Sequence, residues 1–594
     1  MASPYRKMGK LEQGSEASLE TGQVDMADNS KRKKRLALLC IVAMAFLLAS
    51  GVAVGLYVRS RRSGSGSRQG AIQPSQEIVL ACRQTLYPNL CIDSLVAYPG
   101  AQSAGKSDLV RISVNMTLQH VGRAFTGLTE LAGVSMTGIA RQAVDDCLEL
   151  LANSVDQLSR SIAAVADGRG GASDVMTWLS AALTNQDTCT EGMGEGAEDS
   201  VRDRVAAELH NLEEIVSNCL AIYAIASGDR DFAGVPIQNR RLLAADAESE
   251  ISFLEKDGFP SWLTSRDREL LAMENKDVQA DMVVASDGSG TYKTIEEAIK
   301  AVPEKSTKRT VIYVKAGRYQ ENLKVARKKW NVMIIGDGKG KTVITGSRSV
   351  LGGYTTFHSA TFAATGTGFI ARDITFENTA GPQNHQAVAL RIGADHAVVY
   401  RCAIIGYQDT LYVHSQRQFY RECDIYGSVD FIFGNAAVVI QNCSIYARKP
   451  MENQKNTITA QNRKDPNQNT GISIHMSQIR PAEDLVPFKG KVPTYLGRPW
   501  KLYSRVVYML SYMDDHINPE GWLPWSGTFA LDTLYYGEYM NYGPGAAVGK
   551  RVQWPGYRVI TSPEEASKFT VAQFIYGSSW LPSTGVAFLA GLTQ

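Results

Sequence analysis

The sequence lacks a charge imbalance, closely paired cysteines and a serine-hydrolase motif. Its 62 basic and 60 acidic residues leave a formal net charge of +2, whereas a nucleic-acid-binding chain has a clearly basic domain. None of the nine cysteines forms a Cys-x-x-Cys pair, which argues against zinc. No Gly-x-Ser-x-Gly elbow stands near the scattered His385, His396 and His414. We therefore expect no metal, no cofactor, no nucleic-acid partner and no Ser-His-Asp triad.

One long apolar run lies near the N-terminus. Residues 36–58 contain 23 positions without a charge, enough at ~1.5 Å per residue to cross a hydrocarbon core of ~30 Å. The basic residues 31–35 precede this run and slightly favour a cytosolic N-terminus. We expect a membrane signal anchor, with a cleaved signal peptide as the alternative. Under either interpretation, the rest of the chain is exported from the cytosol.

The chain is too long for one ordinary domain of ~100–200 residues. Helical periodicity dominates its first half and short β-rich strings dominate its second half. The predicted segments are a basic cytosolic tail (1–35), the transmembrane anchor (36–58), a flexible tether (59–75), a helical bundle (76–226), a charged linker (227–276) and a β domain (277–594).

The helical region predicts an all-α bundle. Apolar residues from Val144 to Leu158 recur at steps of three and four, which marks an amphipathic helix. Further helical runs lie near 107–131, 174–185 and 199–226. Because four or more helices follow one another with short links, an antiparallel four-helix bundle is expected.

Three segments of this region carry a family resemblance: CRQTLYPNLC at 82–91, DCLELL at 146–151 and WLSAALTNQDTC at 178–189. They resemble the plant pectin methylesterase inhibitor domain. In an exported chain, one disulfide could close an N-terminal hairpin and another could join two helices. The family pattern supports both pairings and leaves Cys219 spare. The expected disulfides are Cys82–Cys91 and Cys147–Cys189.

The linker contains the dibasic pair Arg240 and Arg241. On sequence alone such a pair indicates solvated surface charge. Resemblance to plant pectin methylesterases with an inhibitor-like pro-region implies instead that a processing protease cuts here and removes the pro-region. We therefore expect cleavage after Arg241, and an uncut chain inhibited by its own pro-region.

A repeat runs through the β domain. Cys402, Cys423 and Cys443 recur at steps of 21 and 20 residues in similar frames, and residues 373–378 look like a cysteine-free copy. A period of ~20 residues with a short strand cluster in each unit predicts a solenoid of stacked coils.

The repeat also aligns two acids. Asp409 and Asp430 each stand seven residues after a repeat cysteine, so stacking at ~4.8 Å would bring them to one face in neighbouring coils. Two carboxyl groups at so short a distance cannot both ionise easily, because their negative charges repel each other. One protonated acid beside one carboxylate is the arrangement that acid and nucleophile catalysis needs. The competing interpretation is that both aspartates only form turns.

The neighbours of these aspartates favour a sugar-binding cleft. Tyr412, Phe431 and Phe433 would supply aromatic surface, and Gln408 offers an amide donor next to Asp409.

Five motifs then occur in order: GRYQEN at 317–322, QAVALR at 386–391, GYQDTLY at 406–412, DFIFGN at 430–435 and LGRPW at 496–500. They resemble the signature set of the plant pectin methylesterases over residues 277–590. The resemblance implies a right-handed parallel β-helix that hydrolyses methyl esters of cell-wall homogalacturonan to pectate and methanol, with secretion to the cell wall.

The resemblance also implies roles. Asp430 would be the nucleophile that forms an acyl-enzyme, while Asp409 would protonate the leaving methanol and then activate water. Gln386 and Gln408 would donate to the oxyanion, and Arg498 would pair with Asp430. The expected substrate contacts are Thr356, Gln386, Arg498 and Trp500, to which we add Tyr412 and Phe433 as aromatic cleft candidates.

Two covalent features remain. Cys423 and Cys443 occupy equivalent positions in adjacent coils and suit a disulfide, as the family pattern also implies, although the same stacking would fit Cys402 and Cys423. Asn115 and Asn442 begin glycosylation sequons.

Two other functions compete with esterase activity. A pectate lyase or polygalacturonase could use the same solenoid, but would need calcium-binding acid clusters or more carboxylates. A non-enzymatic chain could use its bundle to inhibit another esterase above an inactive solenoid. The intact aspartates, glutamines and arginine argue against the second alternative.

Overall fold

The computed structural model describes residues 73–134, 136, 138–167, 171–228 and 279–593. The described residues from Pro74 onwards belong to one compact unit, which contains both the helical region and the β domain. The predicted tail and anchor, most of the tether, and the linker beyond residue 228, which contains Arg240 and Arg241, lie outside the described residues. Within the described ranges, no helix combines the length and apolar character needed to cross a membrane.

Seven α-helices occupy the described residues before the β domain. The four longest pack side by side in a closed ring, α3 against α4, α4 against α5, α5 against α7 and α7 against α3. Apolar side chains such as Leu128, Val144 and Leu179 are fully buried in their shared core. The helices are α1 (Gln76–Cys82), α2 (Pro88–Ala97), α3 (Lys106–Ala132), α4 (Gly138–Asp167), α5 (Ala172–Gly194), α6 (Asp199–Glu208) and α7 (Leu212–Ser227).

Two disulfides fix this bundle, and both were expected. Cys82–Cys91 ties α1 to α2, and Cys147–Cys189 ties α4 to α5. Cys219 on α7 is a buried free thiol, so the expectation of a spare cysteine is also confirmed.

Three parallel sheets form the β domain. Sheet one contains β1 (Met282–Val284), β2 (Thr310–Val314), β5 (Val332–Gly336), β8 (Ile370–Arg372), β11 (Ala397–Tyr400), β14 (Arg417–Arg421), β17 (Ala437–Gln441), β20 (Gly471–His475), β23 (Arg505–Met509), β25 (Tyr535–Tyr539) and β26 (Tyr557–Val559). Sheet two contains β4 (Leu323–Val325), β7 (Phe362–Ala364), β10 (Leu390–Ile392), β13 (Leu411–Val413), β16 (Ile432–Gly434), β19 (Asn456–Gln461) and β22 (Thr494–Gly497). Sheet three contains β3 (Gly317–Gln320), β6 (Thr342–Gly346), β9 (Thr375–Asn378), β12 (Ala403–Ile405), β15 (Asp424–Gly427), β18 (Ser444–Ala447), β21 (Gln478–Pro481) and β24 (Tyr512–Met513). The short helices of this domain are α8 (Ile295–Ala301), α9 (Pro563–Ser567) and α10 (Val571–Phe574).

Successive coils stack in register, which confirms the predicted solenoid. Along its middle coils the chain visits sheet one, sheet three and sheet two in turn, and each strand pairs in parallel with its counterpart in the next coil. On sheet three, Ile404, Ile425, Ile445 and Ile479 align in register and are fully buried. This aliphatic ladder explains the isoleucines of the sequence repeat. The right hand of the coil stays a prediction.

The expected disulfide between Cys423 and Cys443 is wrong, because both are free buried thiols, as is Cys402. The three cysteines begin the same corner in successive coils, so parallel stacking points their side chains in one direction instead of towards each other. Each thiol lies 3.3 or 3.4 Å from the carbonyl two residues earlier. Ser477 and Ser511 make the same contact in the following coils. The cysteines therefore serve as corner hydrogen-bond donors.

Candidate active site

Asp409 and Asp430 occupy equivalent turns of neighbouring coils. Asp409 precedes β13 and Asp430 precedes β16, and these strands pair in register. The Asp409 backbone N–H donates to the Val429 carbonyl at 3.0 Å, which joins the two turns directly. Both aspartates adopt left-handed backbone conformations, with φ of 62° and 51°, and both side chains are largely buried. Left-handed backbone is uncommon for residues other than glycine, although aspartate tolerates it better than most.

Asp430 is held as a carboxylate acceptor by two side chains. The Arg498 guanidinium donates from Nε to Oδ1 at 2.8 Å and from Nη2 to Oδ2 at 2.5 Å, a bidentate ion pair. The Thr457 hydroxyl donates to Oδ1 at 2.6 Å and accepts the Asp430 backbone N–H at 2.9 Å. These contacts fix both the rotamer of the carboxylate and the turn that carries it.

Asp409 has the opposite electrostatic environment. Burial, followed by the nearby charge of Asp430, raises its pKa well above the ordinary aspartate value, while Arg498 opposes the shift. Asp409 therefore keeps its proton to a higher pH than an ordinary aspartate does, next to a carboxylate paired with arginine. Such a pair can supply one nucleophile and one acid.

Two glutamines line the same side of the solenoid. Gln386 is half-buried before β10, and Gln408 is buried immediately before Asp409. The Ala387 backbone N–H donates to the Gln408 carbonyl at 3.2 Å, so the two glutamines also stand in stacked turns. The Gln408 Oε1 atom has no hydrogen-bond partner among the described residues. Both amides thus lie on the coil edge that carries the aspartates.

An aromatic row extends from the aspartates across sheet two. Tyr412 and Phe433 are in register and stack with ring centroids 4.2 Å apart. Trp500 tilts against Phe433 at 5.9 Å, and the Trp525 ring lies 4.4 Å from the Arg498 guanidinium carbon. These rings form an apolar wall beside the acid pair, which is suited to packing against sugar rings.

The helical bundle covers this wall. Tyr412, Phe433 and Phe357 belong to the same buried cluster as the bundle core, with Trp500 packed at its edge. The Glu195 carboxylate, just beyond α5, accepts the Thr356 backbone N–H at 2.7 Å. Thr356 was predicted to contact substrate, so an acidic side chain of the bundle already occupies that position.

Charge complementarity supports the same contact. Lys464 of the solenoid pairs with Asp187 at 3.0 Å and with Glu213 at 2.7 Å, and Lys501 pairs with Glu191 at 2.5 Å. Acids of the bundle thus face bases of the solenoid. Among these acids Asp187 is buried, so removal of its lysine partners is expected to be costly.

Several contacts of this site were not predicted from the sequence. Thr457 and Trp525 were not predicted because neither belongs to the cysteine-marked sequence repeat. Thr457 also follows Asp430 by 27 residues, a separation that includes the loop between β18 and β19. Phe431 was expected to line the cleft, but it packs inside the solenoid and is fully buried. The side chain of Phe431 turns inward ahead of β16, whereas that of Phe433 faces the bundle.

Comparison with known proteins supplies the family. The sequence model described as Pectinesterase matches residues 281–578, and the one described as Plant invertase/pectin methylesterase inhibitor matches residues 76–222. The chain is similar to two Arabidopsis thaliana proteins. It is 61% identical to "Probable pectinesterase/pectinesterase inhibitor 34", and the match covers 93% of this chain and 92% of that protein. It is 58% identical to "Probable pectinesterase/pectinesterase inhibitor 61", and that match covers 95% of this chain and 96% of the relative.

A solved structure is similar to the solenoid. The structure titled "Pectin methylesterase from Carrot" is 59% identical, with a TM-score of 0.53, and the match covers 53% of this chain and 99% of that one. The family match, the parallel solenoid and the buried acid pair agree. The chain belongs to the pectinesterase family of carboxylic ester hydrolases and carries an inhibitor-type helical domain ahead of its catalytic domain.

Proposed function

We propose that the solenoid hydrolyses methyl esters of cell-wall homogalacturonan through an acyl-enzyme on Asp430, with Asp409 as proton donor and then base. One observation carries the mechanism: a buried carboxylate paired with Arg498 stands beside a second carboxyl group that favours its protonated form. The names of the Arabidopsis and carrot relatives support pectin as the substrate.

The first half-reaction uses both aspartates. An oxygen of Asp430 attacks the ester carbonyl carbon, and the electron pair of that carbonyl moves to its oxygen. When the tetrahedral intermediate collapses, the bond to the methoxy oxygen breaks, and Asp409 gives its proton to the departing methanol. An anhydride between Asp430 and the uronate remains, next to an Asp409 that is now ionised.

The second half-reaction reverses these proton movements. Ionised Asp409 takes a proton from a water molecule, whose oxygen attacks the uronate carbonyl carbon of the anhydride. The bond between that carbon and the Asp430 oxygen breaks, which regenerates the Asp430 carboxylate and frees the uronic acid, and the acid then loses its remaining proton to solvent. Gln386 and Gln408 stand on the same coil edge and would donate their amides to the transient oxyanion. Arg498 holds the Asp430 carboxylate in position before and after each cycle.

We also propose that the helical bundle is an autoinhibitory pro-region. Supporting this, Glu195 contacts Thr356, and the bundle buries Tyr412 and Phe433. A protease that cuts after Arg241 would allow the bundle to leave, and the mature enzyme would act in the cell wall. The N-terminal anchor at residues 36–58 would hold the precursor at a membrane before this cut.

Methanol release by the fragment 279–594 tests the proposed activity. The fragment keeps the solenoid core intact, and the carrot enzyme matches this part of the chain over 99% of its own length. We expect methanol from esterified pectin without shortening of the polymer. Unsaturated or shortened chains without methanol would identify a lyase or galacturonase instead. Neither product, together with inhibition of a separate esterase by the bundle, would identify the non-enzymatic alternative.

A further inference from the structure

The aromatic row of sheet two continues into two cations. Arg391 on β10 is in register with Tyr412 on β13, and Ala363 on β7 stands between Arg391 and Lys324 on β4. Neighbouring strands lie ~4.8 Å apart, so this outward row presents a new side chain at each step along the solenoid. The small side chain of Ala363 leaves room between the two long cationic ones.

Arg391 is buried with part of its hydrogen-bonding capacity unused. It is 3% exposed, and its guanidinium carbon lies 3.3 Å from the centroid of the Phe357 ring. Its Nε and Nη1 atoms have no hydrogen-bond partner among the described residues. A guanidinium offers five N–H donors in a planar fork that matches a carboxylate, so two buried nitrogen atoms without acceptors indicate that an acceptor is missing.

The bundle places one carboxylate near that acceptor position. Glu149 on α4 forms an ion pair with Lys324 through its Oε2 atom. Its Oε1 atom is buried without a hydrogen-bond partner among the described residues. Glu149 is also the largest acidic influence on Arg391. A carboxylate therefore already sits at the Lys324 end of the row, within electrostatic reach of Arg391.

We propose that Lys324 and Arg391 form a subsite for a free uronate carboxylate of the substrate chain, which Glu149 of the pro-region occupies in the uncut protein. The inference rests on the proposed function and deepens it. Arg391 lies one strand from the coil of Asp409 and two from that of Asp430. An ester in the active site would thus be preferred when a de-esterified unit lies towards the N-terminal end of the solenoid. A methyl ester in this subsite offers no charge and one fewer acceptor, so it binds there more weakly.

Kinetics of the 279–594 fragment test the subsite. The variants are Arg391→Gln, Lys324→Gln, the charge-preserving Arg391→Lys, and Lys308→Gln as a control that removes an exposed charge ahead of β2 in sheet one. The substrates are pectin of high and of intermediate methyl-ester content at equal ester concentration. Binding of fully de-esterified polygalacturonate is measured separately, because it does not depend on turnover.

The two cleft substitutions should raise KM on intermediate-ester pectin about tenfold, the loss expected for one charge-assisted hydrogen bond, and raise it less on high-ester pectin. They should weaken polygalacturonate binding by a similar factor, while Arg391→Lys retains most of the binding and Lys308→Gln behaves as the parent. Unchanged polygalacturonate binding by Arg391→Gln in an active fragment would overturn the subsite. Weakened binding in a fragment that releases no methanol would uphold the subsite and refute the proposed esterase activity.

Discussion

The side chains around each aspartate determine what its carboxyl group can do. Asp409 and Asp430 have nearly the same backbone conformation and stand one coil apart, yet only Asp430 has a bidentate arginine and a threonine hydroxyl. Asp409 has neither, although it is buried to a similar extent. The repeat makes the two residues equivalent in position, and their neighbours make them chemically different.

Replacement of Asp430 by asparagine should remove turnover and preserve the fold. The amide keeps the size of the carboxylate but cannot attack an ester, so kcat in the 279–594 fragment should fall at least about a thousandfold. Methanol release and circular dichroism check this. Asp424→Asn is the matched control, because Asp424 is a partly exposed aspartate of sheet three that pairs with Lys339. Activity close to that of the parent would rule out Asp430 as the nucleophile.

Asp409 should destabilise the protein as the pH rises. Its folded-state pKa lies above the unfolded value, so the native state binds the proton more tightly. Stability is therefore lost as the pH rises towards the folded pKa. Asp409→Asn removes this penalty, and we expect a higher Tm than that of the parent at pH 7. The difference should shrink towards about pH 4, near the ordinary aspartate pKa. A Tm difference independent of pH would contradict the assignment.

At the scale of elements, the segment after α5 carries Glu195, one of the acidic groups at the bundle contact whose pKa is raised. Two effects act on the pKa of Glu195: burial raises it, and the hydrogen bond from the Thr356 N–H lowers it. Burial is the larger effect, and the pKa rises to about 7. An exposed glutamate titrates near 4.3, so docking of the bundle is favoured at low pH and weakens as the pH rises through about 7. The activity of the uncut chain, relative to the cut chain, should increase over that range.

Glu195→Gln provides the matching variant, since it keeps an oxygen acceptor for the Thr356 N–H without the titrating proton. The rise in relative activity between about pH 5 and pH 8 should be smaller in this variant. Glu198→Gln is the control, because Glu198 is an exposed glutamate just ahead of α6. A profile identical to that of the parent would exclude Glu195 as the titrating group.

The disulfide between α4 and α5 should stabilise the bundle substantially. It closes a loop of 42 residues, and the chain-entropy model assigns such a loop about 4 kcal/mol. Replacing Cys147 and Cys189 together by alanine should lower the free energy of bundle unfolding by that order in urea denaturation. A change below about 1 kcal/mol would show that helix packing alone determines stability.

At the scale of the whole molecule, the sequence predicts local patterns better than contacts between domains. The cysteine-marked repeat predicts the solenoid and the alignment of Asp409 with Asp430, because a parallel coil converts sequence period into spatial register. The same period led to a wrong prediction of a disulfide between Cys423 and Cys443. Their side chains stack in parallel, and both thiols are free.

Contacts formed by distant segments could not be predicted in this way. Thr457 reaches Asp430 across a coil lengthened by a loop, and Arg391 faces the bundle only because of its register in sheet two. Glu195 and Thr356 lie in different domains, and neither segment alone indicates their contact. These are tertiary features that no local pattern encodes.

Methanol release before and after a single cut in the linker measures the central claim most directly. The same preparation of full chain is assayed on esterified pectin as a protease cleaves after Arg241, while the extent of cleavage is followed by mass spectrometry. The closed cleft predicts little methanol from the uncut chain and a rise in rate that follows cleavage and release of the bundle. Equal specific activities of the uncut and the cut, separated enzyme would contradict the account.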